Sequence, residues 1–160
     1  MSIKIFFITI AGLLLMRLFA VAGDIEPVTP SKQDKCPVCG MFAAKYPDWV
    51  GEIIYDDNRI VFSDGAKDLF KYYFNIQKYH PGKNRDSIKA IYVTEYYDVV
   101  RINAYAAYYV IGSDVYGPMG RELIPLKSKR DAEEFMKDHN GKQIVMFKDV
   151  TSALIDTLDQ

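Results

Sequence analysis

Two cysteines, Cys36 and Cys39, are separated by two residues in the run CPVCGM, and the sequence holds no others. Thiols at this spacing can both be directed at one metal ion, or at each other to form a disulfide. The thioether of Met41 follows two residues after Cys39, so three sulfur atoms fall within six positions. Thiolates and thioethers are soft ligands that select Cu(I) over harder ions. The chemistry to consider first is therefore that of sulfur.

Three interpretations of this motif remain open. A redox dithiol is the first, but thioredoxin-like proteins place the motif near a βαβ unit, and here it follows a polar segment and precedes a predicted hairpin. A structural disulfide is the second; secretion favours it, but so short a loop gains little from it. A soft-metal site is the third, and it alone uses Met41. A zinc finger is excluded because His80 and His139 lie at the wrong spacings.

A fourth sulfur, that of Met119, lies in a predicted loop over 114–120 that is flanked by glycines. Most methionines fill gaps in a hydrophobic core. That role fits Met136 and Met146, which fall in a predicted helix and a predicted strand. A loop methionine has little core to fill, so Met119 is a candidate ligand, with inward packing as the alternative.

The N-terminus predicts export. Lys4 precedes a short apolar run, and Ala20-Val21-Ala22 supplies small residues at the spacing that a signal peptidase accepts. We interpret residues 1–22 as a secretory signal peptide. The alternative is an uncleaved membrane anchor over 5–22, but Arg17 interrupts that run, and a charge near the middle of a membrane helix costs roughly 2.5–3.5 kcal/mol.

The composition excludes several classes of protein. Hydrophobic residues make up 49% of the chain and charged residues 26%, which is typical of a globular protein rather than a disordered one. The formal net charge of −1 lacks the basic excess of a nucleic-acid-binding protein. The sequence contains no G-x-S-x-G, phosphate-binding glycine loop or H-E-x-x-H motif. We therefore expect a protein that is not an enzyme and binds no nucleic acid.

The elements that must position the sulfurs begin with a hairpin predicted over 49–62. Ser63 or Asp64 can cap the helix that follows, which shows an apolar face from Ala66 onward. A third strand is predicted over 88–94. The first half of the chain is therefore a ββαβ unit.

The same pattern then repeats. Strands are predicted over 101–111 and 121–126, a helix over 128–139 and a closing strand over 143–148. Two such units predict an α+β fold, in which helices pack on mostly antiparallel sheets.

The chain divides accordingly. We assign residues 36–97, with the Cys-x-x-Cys-Gly-Met motif, to the first ββαβ unit and residues 98–150 to the second. Residues 23–35 are predicted to be a flexible tether and residues 151–160 a C-terminal tail.

These residues resemble a known family. The run 36–47, the segment 64–73, the run 107–120 that ends in Gly-Pro-Met-Gly, and the helix end over 132–141 are similar to the nitrous oxide reductase accessory protein NosL family. The resemblance covers most of 35–150 in the same order, and this combination is specific where a lone Cys-x-x-Cys is not. It implies a pair of ββαβ units, in agreement with the pattern above.

The resemblance also implies a function. Members of the family are periplasmic Cu(I) metallochaperones that deliver copper for assembly of the copper centres of nitrous oxide reductase. The family's Cys-x-Met falls on Cys39 and Met41, and its loop methionine falls on Met119. We expect Cys39 and Met119 to be the core Cu(I) ligands, with Met41 or Cys36 as the third, exchangeable ligand. The alternative is a periplasmic thiol-disulfide oxidoreductase that uses Cys36 and Cys39.

The implied partner is nitrous oxide reductase or its membrane-bound assembly complex, and we expect a monomer or a metal-dependent dimer. Family members are commonly lipoproteins with a lipid-bearing cysteine at the end of the signal, whereas no cysteine precedes Cys36 here. We expect the chain to be periplasmic, either released by cleavage or held at the membrane by its N-terminus.

Overall fold

Two antiparallel sheets form the framework of the protein in a computed structural model, which describes residues 25–159. The signal peptide predicted over 1–22 lies outside the described residues. The first sheet has the strand order β2-β1-β3-β4. Its strands and the helices between them are β1 (Gly51–Tyr55), β2 (Ile60–Ser63), α1 (Ala66–Phe74), α2 (Ile76–Tyr79), β3 (Ile88–Thr94) and β4 (Arg101–Asn103).

The second sheet has the order β8-β5-β9, and β6 and β7 pair separately as a short hairpin. The elements of this half and the C-terminal helix are β5 (Tyr108–Ile111), β6 (Tyr116–Gly117), β7 (Gly120–Arg121), β8 (Ile124–Leu126), α3 (Lys129–Asp138), β9 (Gln143–Met146) and α4 (Ser152–Thr157). Among residues 25–159, no helix has the length and hydropathy that crossing a membrane requires.

The two halves share one topology. In the first, β1 pairs antiparallel with both β2 and β3, and α1 follows β2. In the second, β5 pairs antiparallel with both β8 and β9, and α3 follows β8. The first strand of each unit therefore lies in the middle of its sheet. The predicted α+β fold of two ββαβ units is confirmed.

One hydrophobic core joins the two units. The ring of Phe70 on α1 lies 5.4 Å from that of Tyr109 on β5 and 4.9 Å from that of Phe147, measured between centroids. Aromatic pairs at such separations contribute about 0.5–1.5 kcal/mol beyond the burial of their surface. The core therefore holds α1, whose N-terminal turn carries the site described below, against the second unit.

The predicted strand over 101–111 is two strands. β4 completes the first sheet by pairing with β3, so that sheet continues past residue 97. The side chain of Asn103 then accepts a hydrogen bond from the backbone N–H of Tyr105 at 2.9 Å, and its carbonyl accepts one from Ala106. Asparagine commonly forms such turns with its own backbone. The chain bends there before β5 begins, and the boundary between units at 97/98 stays a proposal.

The segment before the cysteines is bound to the first sheet. The backbone N–H of Val28 donates to both carboxylate oxygens of Glu52, at 2.9 and 3.1 Å, and Pro30 is buried. Glu52 is fully buried on β1, where an unpaired carboxylate would be costly. Residues 25–30 therefore lie against the sheet, a contact that the flexible tether predicted over 23–35 did not include.

The C-terminal segment forms α4, in place of the loose tail predicted over 151–160. Its apolar residues Ile155 and Leu158 belong to the core, and the side chain of Thr151 caps the helix by accepting the N–H of Leu154 at 3.2 Å. The sequence prediction missed this helix because it is short, so that packing against α1 rather than its own length stabilises it.

Replacing the capping residue tests whether α4 folds with the rest of the protein. We expect Thr151→Ala to lower the free energy of unfolding by about 1 kcal/mol, because the N–H of Leu154 loses its acceptor. The neighbouring Ser152→Ala should change it by less than about 0.5 kcal/mol, as is usual for an exposed position. Urea denaturation followed by tryptophan fluorescence measures both. Equal values for the two variants would show that α4 is not part of the cooperative unit.

Candidate metal centre

A tight turn holds the two cysteines. The backbone N–H of Cys36 donates to the carbonyl of Met41, and the N–H of Gly40 donates to the carbonyl of Cys36, both at 2.8 Å. Gly40 has a φ of +80°, which a residue with a side chain adopts only with strain. The residues that flank the turn, Lys35 and Phe42, form an isolated antiparallel bridge. These contacts fix both thiols on one side of the turn.

Each thiol meets a carboxylate at the start of α1. The sulfur of Cys39 donates to Oδ1 of Asp64 at 3.1 Å, and the sulfur of Cys36 donates to Oδ2 of Asp68 at 3.4 Å. One ligand atom from each of these four residues lies within 4.8 Å of all the others. The sequence predicts either Ser63 or Asp64 as the cap of this helix. The N-cap is instead Gly65, with no side-chain cap hydrogen bond, because the carboxylate of Asp64 is turned to the thiol.

The cluster is buried except at one thiol. Asp64 is 0% exposed, Asp68 2% and Cys36 1%, whereas Cys39 is only partly buried. Access from solvent to the cluster is therefore at Cys39. An exchangeable ion would meet this thiol before the other.

The buried setting keeps both thiols protonated. Burial raises the pKa of Cys39 to about 12 and raises the pKa of Cys36 well above its usual value, and the neighbouring carboxylates add to both effects. Burial also raises the pKa of Asp68, although hydrogen bonds from the two thiols oppose that shift. At neutral pH each thiol is thus a hydrogen-bond donor to a carboxylate. A metal ion that binds the sulfur must displace its proton.

The carboxylates offer more acceptors than the surrounding protein uses. Among residues 25–159, no donor lies within hydrogen-bond distance of the buried atoms Asp64 Oδ2 and Asp68 Oδ1. The Nζ of Lys71 approaches the latter only to 3.9 Å. Buried polar atoms are nearly always satisfied, so such a group calls for a partner. Two thiols and two carboxylates with spare lone pairs are a donor set that fits a metal cation.

The structure brings some of the predicted ligands together and leaves others further apart. It brings Cys36 and Cys39 together, and it puts Met41 in the same turn, half-buried. Met119 lies on the β6–β7 hairpin, with 38% of its surface exposed. Its backbone carbonyl accepts a hydrogen bond from Nζ of Lys67 at 2.7 Å, so the hairpin lies against the same helical turn that carries the carboxylates. That the thioethers of Met41 and Met119 bind the same ion as the thiols stays a prediction.

Sequence reasoning missed Asp68 and gave Asp64 a different role. The available signal was their position, because Asp64 precedes the N-cap Gly65 and Asp68 lies in the first turn of α1, so both carboxylates stand at one helix start. The two histidines lie elsewhere. His80 contacts Arg59 and the hydroxyl of Tyr72, and His139 contacts Asp114.

Comparison with known proteins agrees with the resemblance seen in the sequence. A curated relative, the "Copper-binding lipoprotein NosL" of Stutzerimonas stutzeri, is 27% identical over 146 residues, which are 84% of this chain and 71% of the relative. The crystal structure of the copper chaperone NosL from Shewanella denitrificans matches with a TM-score of 0.66 and 26% identity, over 80% of this chain and 97% of that one. The apo-NosL protein from Achromobacter cycloclastes, solved in solution, matches with a TM-score of 0.47 and 26% identity, over 66% of this chain and 87% of that one.

The NosL family model matches residues 27–155, which is most of the chain and includes both cysteines, both carboxylates and the methionine hairpin. This chain belongs to the NosL family.

Proposed function

We propose that this protein is a copper chaperone that binds Cu(I) and supplies it for assembly of the copper centres of nitrous oxide reductase. The observation that carries the proposal is the pair of free thiols, one buried and one partly exposed, beside a helix start with two carboxylate oxygens that accept no hydrogen bond within residues 25–159. Two relatives are themselves named as copper-binding or as a copper chaperone. The role is that of a carrier, not an enzyme.

The proposed ligands are sulfur atoms. Cys39 is the principal ligand because its thiol is the one that solvent reaches, and Met119 is the second because its hairpin lies against the adjoining helical turn. Met41 or Cys36 supplies the third, exchangeable contact. Thiolate and thioether together favour Cu(I) over harder ions. A thioether is uncharged and binds more weakly, which suits a protein that must release its ion.

The exposed side of the cluster provides a route for transfer of the ion to an acceptor. The ion is held at the open side of the cluster, so an acceptor can present its own soft ligands to it. A mixed-ligand intermediate forms in which the contact to Met119 is replaced first, and Cys39 is released last with return of a proton. The ion is never free in solution during this exchange.

The alternative function, a thiol-disulfide oxidoreductase, is disfavoured by the electrostatics of the thiols. Attack on a disulfide requires a thiolate, and reactive cysteines have a lowered pKa. Here burial raises the pKa of both Cys36 and Cys39, and the carboxylates of Asp64 and Asp68 would repel a thiolate. The same repulsion disappears when a cation neutralises the site, which favours metal binding.

The setting of this activity is also part of the proposal. We place the protein in the periplasm, with nitrous oxide reductase or its membrane-bound assembly complex as the acceptor. The protein acts there as a monomer or a metal-dependent dimer.

Anaerobic titration of the reduced protein with Cu(I), against a competing chelator, tests the proposal. We expect one tightly bound ion, and we expect Met119→Leu to weaken binding by about tenfold or more, which corresponds to about 1.4 kcal/mol. Met146→Leu is the matched control, since that methionine lies on β9. Equal affinities for the two variants would remove Met119 from the ligand set, and failure of the wild-type protein to bind Cu(I) would overturn the function.

A further inference from the structure

Two side chains fasten the methionine hairpin to the start of α1 from opposite directions. From the helix, Nζ of Lys67 reaches across to the backbone carbonyl of Met119 at 2.7 Å. From the strand side, the carboxylate of Glu122 accepts the backbone N–H of Lys67 at 2.5 Å and that of Leu123 at 2.9 Å. The N–H of Lys67 is one of those that the first turn of a helix leaves without an internal partner. At this junction between the hairpin and the start of α1, each side therefore satisfies a backbone hydrogen-bonding group of the other.

The fit at this junction is close. Lys67 and Glu122 are each only 2% exposed. A Cβ at Gly65 would lie 2.2 Å from Oε2 of Glu122, and one at Gly117 would lie 3.1 Å from the same atom. A side chain at Gly65 would thus overlap the carboxylate of Glu122, and one at Gly117 would crowd it. No side chain could be added at either position without moving Glu122.

A third contact restrains the lysine. Oδ1 of Asp159, after α4, lies 3.2 Å from Nζ of Lys67, and its other oxygen lies 2.6 Å from Nζ of Lys71. The C-terminal segment thereby holds the ammonium group in the position from which it reaches the hairpin. The hairpin, the helix start and the C-terminus form one connected polar network.

The stability of the fold alone is a weak reason for burying the charged side chains of Lys67 and Glu122. Lysine and glutamate are almost never fully buried unless paired, and the cost of removing charges from water offsets much of what their contacts return. What the arrangement does provide is a defined position for a short hairpin that has only two residue pairs of its own. That hairpin carries Met119, and the helical turn it meets carries Asp64 and Asp68.

We propose that Lys67 and Glu122 are positioning residues that hold the β6–β7 hairpin so that the thioether of Met119 is presented to an ion bound at Cys39. This proposal rests on the proposed function. It adds that contacts between the hairpin and the start of α1, and not the hairpin alone, set the position of Met119. Neither residue contacts the ion, and both act only through Met119.

A double-mutant cycle tests this dependence. Cu(I) affinity is measured for the unmodified chain, for Lys67→Leu, for Met119→Leu and for the combination. We expect Lys67→Leu to weaken binding about tenfold when Met119 is present and less than about twofold when residue 119 is leucine. The exposed Lys129→Leu on α3 is the matched control and should have no effect. An equal loss from Lys67→Leu in both backgrounds, or no loss in either, would overturn the proposal.

A second readout separates positioning from general damage to the fold. X-ray absorption of the copper-loaded proteins should show one sulfur neighbour fewer in Lys67→Leu than in the wild type, as in Met119→Leu. Glu122→Leu should behave likewise, and Glu122→Gln should restore the sulfur count because the amide oxygen still accepts both N–H groups. An unchanged sulfur count in Lys67→Leu would overturn the proposal. If Met119→Leu itself leaves affinity and sulfur count unchanged, the ligand assignment falls, and the proposal falls with it.

Should Lys67→Leu fail to fold, Gly65→Ala keeps the test decisive, because its Cβ would lie only 2.2 Å from Oε2 of Glu122. The added methyl group would press on Glu122 without removing any polar group. We expect weaker Cu(I) binding that again depends on Met119. The same affinity as the wild type would overturn the proposal.

Discussion

Replacing Cys39 with serine is expected to lower the affinity for Cu(I) by at least roughly 100-fold, more than the 10–100-fold that loss of an outer contact of a metal site typically costs. The hydroxyl is nearly isosteric and can still donate to Asp64, so the fold and the turn should persist. What is lost is the thiolate, the strongest soft ligand on the open side of the cluster. Anaerobic competition with a Cu(I) chelator measures the change, and circular dichroism checks the fold.

Cys36→Ser is the matched comparison because it makes the same atomic change at the more buried thiol of the same turn. Cys36 is 1% exposed and its thiol already has an acceptor in Asp68, so we expect its loss to cost less copper affinity than the loss of Cys39. The melting temperature should be recorded as well, since this position is in the core. A greater loss of affinity for Cys36→Ser than for Cys39→Ser would reverse the ranking of the two thiols.

Local sequence patterns were sufficient for the repeated architecture. The apolar run of β3, over Ile88–Thr94, was predicted with its observed bounds, and the strand-strand-helix-strand order of both units followed from alternating and helical periodicities. These patterns are local because each element must present one apolar face to a core. The prediction failed where an element depends on a distant partner. The helix α4 is too short to be recognised by its own periodicity and depends on its packing against α1.

In the candidate site, too, local features could be predicted from the sequence and contacts between distant residues could not. The sulfur motif is contiguous, so its spacing could be read directly. Its carboxylates come from residues 25 and 32 positions further along the chain, and only the tertiary fold brings them to the thiols. A local rule offered Ser63 or Asp64 as the helix cap, but the carboxylate of Asp64 instead accepts a hydrogen bond from the partly buried thiol of Cys39. The contact between Lys67 and Glu122, 55 residues apart, had no sequence signal.

The carboxylates give the empty site a stable protonated form. A buried thiolate beside Asp64 and Asp68 would place like charges together in a poorly solvated space, which is unfavourable. A thiol that donates to each carboxylate avoids that repulsion. Metal binding reverses the preference, because the cation compensates the negative charge that appears when the sulfur loses its proton. The affinity for copper must therefore depend on pH.

We expect the apparent affinity for Cu(I) to rise about tenfold for each pH unit between pH 6 and 8. Below its pKa of about 12, Cys39 carries a proton in the empty protein, and binding releases one proton for each thiol that becomes a ligand. The sign follows because fewer protons in solution favour the form that has released one. A competing chelator of known pH dependence measures the slope.

The slope of Cu(I) affinity against pH also decides whether the thiol of Cys36 binds the ion as a thiolate. If Cys39 is the ligand that ionises while Cys36 stays protonated on Asp68, then Cys36→Ser leaves the tenfold dependence unchanged. A wild-type slope near a hundredfold per pH unit that falls to tenfold in Cys36→Ser would mean that both sulfurs bind as thiolates. A flat profile would contradict the protonated state of Cys39, and with it the claim that burial and the neighbouring carboxylates govern this site.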